Sequence, residues 1–239
     1  MRVWTATACV AFLLLVVPAL PGQELSVSGR VNVSDAASHR QSADGVVVWL
    51  VPADGEAPAH VTDDPEKHPS LTQKNKRFDP HVLAVQVGTV VDFPNHDPFF
   101  HNVFSLFDGK RFDLGLYEAG STRHVRFDRP GISYIFCNIH PEMSAVVVVV
   151  DTPYFATTGD QGDVLLPKVP AGAYTVHVWD ERANPEALAR LRRQVVLSPS
   201  ASSLGTVSIT ENRTALAHKN KYGREYDTPA PSSTIYIQP

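Results

Sequence analysis

Apolar and polar residues alternate along much of this chain. Leu25, Val27, Gly29, Val31 and Val33 occupy every second position, which predicts a strand over 25–33. Residues 45–51 form an unbroken apolar run around Trp49, and 146–150 are five valines; both read as buried strands. Further strands are predicted at 81–87, 89–94, 101–104, 123–127, 133–137, 145–151, 163–166, 174–179, 194–197 and 204–209. Gly88 and Pro130-Gly131 supply turns. One helix is predicted over 186–193, with Asn184 as N-cap and Pro185 in the first turn. Residues 53–76 are polar, with Pro58, Pro65 and Pro69, and read as a connector. From Arg213 the chain is again polar, with Pro229, Pro231 and Ser232-Ser233, and a loosely ordered tail is expected over 213–239. The fold class is all-β.

The N-terminus departs from this pattern. Arg2 precedes an apolar run over 6–17, and Pro18-Ala19-Leu20-Pro21-Gly22 follows. A basic start, a short apolar stretch and a small-residue exit predict a secretory signal peptide over 1–22. The run is too short to cross a bilayer, and no later stretch is long enough. Cys9 precedes the end of the run, the wrong place for lipid attachment. The expectation is an exported protein, periplasmic or extracellular, with no membrane span in the mature chain.

Composition narrows the function classes. Nineteen Pro and fourteen Gly suit many short strands, and 43% hydrophobic residues are ample for a core. A net charge of −4 argues against a nucleic-acid partner. Two Cys exclude a disulfide framework and a multi-cysteine zinc site. Cleavage after Gly22 leaves one Cys, Cys137, and one Met, Met143, with His140 midway between them.

This Cys-x2-His-x2-Met places a thiolate, an imidazole and a thioether on one short loop between predicted strands. His101 opens a strand 36 residues earlier. Two imidazoles and a thiolate with a weak axial thioether are the ligands of a blue-copper site. Soft sulfur favours Cu(I), while imidazole also suits Cu(II), so one ligand set serves both states. Taken singly, each residue has a plainer reading: a buried Cys is a small hydrophobe, and Met and His are packing or surface groups. Zinc fits the His and Cys ligands, but a thioether gives no reason to choose it. His81, His96 and His124 read as ordinary strand or loop histidines. The loop lacks the second Cys of a binuclear centre, and the chain lacks the His-x-His pairs of multicopper oxidases, so no enzymatic chemistry is indicated.

Residues 71–151 resemble a cupredoxin, most closely of the amicyanin and plastocyanin-like type. The resemblance rests on Phe78-Asp79-Pro80, on 87–93 (Val-Gly-Thr-Val-Val-Asp-Phe), and on Pro94-Asn95 leading to His101-Asn102-Val103. It continues through Glu118-Ala119-Gly120 and Pro130-Gly131 to Cys137-Asn138-Ile139-His140-Pro141-Glu142-Met143. It implies a Greek-key β-sandwich over 70–152 holding one type 1 copper. His101, Cys137 and His140 would be equatorial ligands and Met143 axial, with Asn102 tying the His101 strand to the cysteine loop. Glu142 puts an acidic residue inside that loop, where its charge bears on the redox potential. Pro98, Phe99, Phe100, Ile139 and Pro141 would form an apolar docking patch beside the copper; the competing reading makes Phe99 and Phe100 core residues.

Residues 160–176 resemble the later half of a carboxypeptidase regulatory-like, or transthyretin-like, β-sandwich, and Ser28-Gly29-Arg30-Val31 and 46–50 resemble its opening strands. Opening strands in 23–62 and closing strands in 153–212 would make the cupredoxin an insertion; the alternative is that 25–51 adds strands to the cupredoxin. A pairing of 46–50 with 174–179 is the expected sign of insertion. The second sandwich carries no catalytic motif, and Arg190, Arg192 and Arg193 read as a solvated face. Asn32-Val33-Ser34 and Asn212-Arg213-Thr214 match the glycosylation triplet. The expected function is one-electron transfer between an unidentified donor and acceptor, without catalysis. Copper handling without a redox circuit and a structural or cell-surface module are the alternatives.

Overall fold

Period-2 alternation resolves into layers. The computed structural model describes residues 23–35, 42–55, 64–106, 109–211 and 219–226. The predicted leader, the Asn212 triplet and both flanks of 219–226 lie outside the described residues. Among the described residues sixteen strands form five sheets, accompanied by one short α-helix and one 3-10 turn at Pro65–Lys67.

Val46, Val48 and Leu50 project into one core with Val27, Val31, Leu166 and Val176. Val47, between them, is buried on the opposite side with Val146, Val148 and Val150, and Trp49 packs there too. The strand Val47–Pro52 is therefore covered on both faces, which explains its unbroken apolar run. The five-valine strand, Ser144–Val150, is covered in the same way: Val146, Val148 and Val150 meet Val47, while Ala145, Val147 and Val149 enter a third core with Phe93, Phe127 and Cys137.

The resulting order is a three-stranded sheet, a four-stranded sheet, a five-stranded sheet and a two-stranded sheet, with cores between. The three-stranded sheet places Glu24–Asp35 between Asp163–Pro170 and Ser203–Glu211. The four-stranded sheet runs Phe155–Thr157, Val47–Pro52, Gly172–Trp179, Arg193–Leu197. Val47–Pro52 pairs antiparallel with Gly172–Trp179, from Trp179 opposite Val47 to Tyr174 opposite Pro52. Strands from before and after the central segment thus share one sheet. The five-stranded sheet runs Val82–Gln86, Ser144–Val150, Gly131–Cys137, His101–Ser105, Phe112–Tyr117. Val90–Pro94 and Thr122–Arg126 form the two-stranded sheet over its other face.

Several elements differ from expectation. The helix spans Pro185–Arg190, with the Asn184 side chain accepting the Glu186 N–H. It stops short of 193 because Arg193 begins a strand opposite Val176. The end of the 53–76 connector is instead the first strand and turn of a hairpin: Thr72–Lys74 pairs with Arg77–Asp79. Asn75 and Lys76 turn it at φ 55° and 54°, the left-handed pair of a tight two-residue hairpin. Phe112–Tyr117 is an edge strand whose burial changes phase at a bulge around Gly115 (φ 68°), where its register against His101–Ser105 also shifts. The tail is corrected in part: residues 219–226 lie against the cysteine loop through defined hydrogen bonds.

Candidate metal centre

His101 begins the strand His101–Ser105, and Cys137 ends Gly131–Cys137; the two strands are hydrogen-bonded neighbours, with Cys137 opposite Val103. Beyond Cys137 the chain turns back at once. The Met143 N–H donates to the His140 carbonyl (3.0 Å) and the Cys137 N–H donates to the Met143 carbonyl (3.2 Å). Pro141 suits this turn because it needs no N–H partner. The closed loop brings three donor atoms together: Cys137 Sγ lies 3.6 Å from His101 Nδ1 and 3.5 Å from His140 Nδ1, with the two nitrogens 3.2 Å apart. A point equidistant from all three is about 2.0 Å from each, close to first-row metal–nitrogen bond lengths and somewhat inside the metal–sulfur value of about 2.3 Å. The donor set therefore fits a transition-metal ion.

Electrostatics favour the metal-binding forms of the imidazoles. Burial lowers the His101 pKa against the opposing Asp97 carboxylate. His140 is pushed down to about 4, by burial first and then by His101 and Lys76. Both rings are neutral at pH 7 and can offer a lone pair. Burial raises the Cys137 thiol, while backbone N–H groups of Asn102, Ile139 and His140 favour its thiolate. A metal cation would oppose the burial effect directly, since a coordinating thiol is deprotonated.

Asp97 selects the His101 tautomer. Its Oδ2 lies 2.9 Å from His101 Nε2, and both side chains are buried. The carboxylate accepts there, so Nε2 carries the proton and Nδ1 faces Cys137. Asp97 is itself held by the tight hairpin: the Asn75 N–H donates to Oδ1 (2.6 Å) and the Lys76 N–H to Oδ2 (3.0 Å). Asn95 shapes the intervening loop, accepting the Asp97 N–H at Oδ1 (3.0 Å) and donating from Nδ2 to the Phe99 carbonyl (2.8 Å).

Asn102 lies beside the site, but its backbone makes the tie to the loop: its carbonyl accepts the Asn138 N–H (3.0 Å). Its side chain donates instead to Asp113 Oδ1 (2.6 Å), on the edge strand. Met143 is fully buried in the same core as Cys137. Phe99 is half-buried and packs on both imidazoles, with centroids 5.3 Å from His101 and 5.4 Å from His140. Pro98, Phe100, Ile139 and Pro141 are exposed, so Phe100 is not a core residue. His96 is exposed and outside the triangle.

The tail contributes contacts that sequence reasoning missed. Tyr226 OH donates to the Cys137 carbonyl (2.7 Å), and the Lys221 N–H donates to Asn138 Oδ1 (2.9 Å). Lys221 Nζ lies 2.9 Å from Asp113 Oδ2, so the carboxylate that receives Asn102 also anchors the tail. The only cue in the sequence was two tyrosines, Tyr222 and Tyr226, in a polar stretch. Asp97 had a closer cue, an acidic residue four positions before His101.

No protein-family model matches the chain, and no curated protein matches it. Among solved structures, a purple cupredoxin from Nitrosopumilus maritimus is 23% identical, over 34% of this chain and 99% of that one, with a TM-score of 0.32. A Cu(I) amicyanin with methionine replaced by alanine is 18% identical, over 45% of this chain and 100% of that one, with a TM-score of 0.34. A copper-containing nitrite reductase from Thermus scotoductus SA-01 is 24% identical, over 40% of this chain and only 24% of that one, with a TM-score of 0.35.

Proposed function

We propose that this chain is an exported mononuclear blue-copper protein of the cupredoxin kind that carries single electrons between redox partners. The observation behind this reading is the triangle of His101 Nδ1, Cys137 Sγ and His140 Nδ1, with edges of 3.2 to 3.6 Å. The reading gives these three residues the strong bonds and buried Met143 the weak axial position. Bound copper would supply a one-electron Cu(I)/Cu(II) couple. The protein's part is to hold the ligands still. Asp97 fixes the His101 ring, two ladders and a tight turn fix Cys137 and His140, and the tail anchors the loop from outside. Ligands fixed in this way rearrange little when the charge at the site changes.

Exposed Ile139 and Pro141, which flank His140, and exposed Pro98 and Phe100, which flank the Phe99 packed on its ring, support a docking face for donor and acceptor proteins. The assigned role is carrier rather than enzyme. The outer sheets are assigned to a transthyretin-like sandwich that carries the copper unit as an insertion, on the support of the pairing between Val47–Pro52 and Gly172–Trp179. The leader-like N-terminus supports export to the periplasm or cell exterior. Among the described residues, no helix is long and apolar enough to cross a membrane.

The visible absorption spectrum of the Cu(II)-loaded chain tests this reading. The expected result is an intense thiolate-to-copper charge-transfer band that bleaches with reductant and is absent from Cys137→Ser. A colourless complex, or an unchanged spectrum in the variant, overturns it.

A further inference from the structure

A second group of metal-ligating side chains stands apart from the triangle. Asp92 and His124 face each other across the two-stranded sheet as direct register partners. Opposite residues in an antiparallel pair share a face. Here it is the outer one, since neighbouring Val91, Phe93 and Val125 fill the core. The third member, His68, arrives from a different segment. The Asp92 N–H donates to the Pro69 carbonyl (2.9 Å) and the Asp92 carbonyl accepts the Leu71 N–H (2.8 Å). Two backbone bonds on Asp92 itself therefore set His68 beside its side chain.

The three converge on one point. His68 Nδ1 lies 2.9 Å and His124 Nδ1 2.7 Å from the same oxygen, Asp92 Oδ1. All three ligand atoms fall within 4.8 Å of one another, and the two rings meet edge to face at 6.2 Å. His68 is largely covered, at 12% side-chain exposure, whereas His124 is 58% exposed. One side of the cluster is walled and the other is open to water.

We propose that His68, Asp92 and His124 form a second metal site that binds a divalent first-row cation such as zinc(II). Two imidazoles and one carboxylate are an established ligand set for such ions, with the remaining positions left to solvent. Without a metal, each Nδ1 proton points at the shared carboxylate oxygen. Binding needs each ring to carry its proton on Nε2 instead, exchanged through water, so that the cation takes the two Nδ1 lone pairs and the carboxylate oxygen. This set has no sulfur, so it is harder than the Cys137 site and favours M(II) over Cu(I). The bound ion would clamp the 64–71 segment onto the sheet.

Equilibrium dialysis of the full chain against cobalt(II), a coloured substitute for zinc, tests the assignment. In a Cys137→Ser background, which removes the thiolate site, the expected uptake is one equivalent that disappears when either His124→Ala or His68→Ala is added and survives His96→Ala. Any thiolate-to-cobalt band belongs to the Cys137 site and is retained in His124→Ala, so the two sites are read separately. Zinc(II) is expected to raise the melting temperature of Cys137→Ser but not of Cys137→Ser/His124→Ala. Equal cobalt uptake with and without His124, or a zinc shift that ignores His124, overturns the proposal.

Discussion

Asp97→Asn tests whether the His101 tautomer is set from outside the ligand triangle. Three donors converge on this carboxylate: Asn75 N–H on Oδ1, and Lys76 N–H with His101 Nε2 on Oδ2. An amide offers one oxygen. If that oxygen takes Asn75, the amide nitrogen faces both Lys76 N–H and His101 Nε2. The ring can then keep its bond only by accepting at Nε2, which moves its proton to Nδ1, the atom facing Cys137 Sγ at 3.6 Å. If the amide turns over, its nitrogen faces the Asn75 N–H at a spacing of 2.6 Å. Either orientation sets donor against donor in a buried place. Loss of such a partner costs about 10- to 100-fold in metal affinity, or roughly 1.4–2.7 kcal/mol. The unpaired donor costs the metal-free fold a further ~1–3 kcal/mol. Competition with a copper chelator at pH 7 measures the first, and denaturant unfolding of the metal-free protein the second. Copper affinity within about twofold of wild type, with an unchanged spectrum, would refute the reasoning.

Val148→Ala removes two methyl groups from the core between the four- and five-stranded sheets, where Val148 is 1% exposed. A loss of about 2 kcal/mol in urea unfolding is expected, with the copper spectrum unchanged; an altered spectrum would mean that this core reaches the site. His81, just before Val82 of the five-stranded sheet, and Glu181, just after Trp179 of the four-stranded sheet, meet at 2.7 Å. The Glu181 hydrogen bond raises the His81 pKa while burial opposes it. This contribution is complete below the unfolded value of about 6.5 and is lost as pH rises through the higher folded value. With His81 51% exposed, the pair contributes less than about 1 kcal/mol. Wild type should therefore lose its stability advantage over Glu181→Gln as pH is raised from 6 to 9 in thermal melts; a constant difference would count against the pair. Tyr226→Phe deletes the bond to the Cys137 carbonyl, worth about 1 kcal/mol, so the tail should open about fivefold more often. Limited proteolysis reads this directly, and equal cleavage rates would show that the hydroxyl does not hold the tail.

Sequence alone determined what depends on near neighbours. Period-2 alternation identified most strands, because burial of one sheet face imposes it directly. The runs at 45–51 and 146–150 marked strands covered on both faces, which the structure resolves into alternate cores. Cys137, His140 and Met143 were legible together because a tight turn makes their spacing a geometry. Phe112–Tyr117 alternates in sequence at Phe112, Leu114 and Leu116, but its burial changes phase at a bulge around Gly115, leaving Leu116 exposed and Tyr117 buried, so the strand is fixed by its pairing with His101–Ser105 and not by the pattern.

Tertiary structure alone decided what supports and surrounds the triangle. The Asn75-Lys76 hairpin reaches Asp97 from 21 and 22 positions away, and Tyr226 reaches Cys137 from 89. His124 reads in sequence as one more strand histidine, yet register sets it against Asp92, and backbone bonds bring His68 to the same oxygen. The reason is physical. Side-chain period and turn chemistry are local properties and leave their mark in consecutive residues. Register, strand order and the return of the tail are set by which distant surfaces bury one another, and no stretch of the chain encodes them by itself.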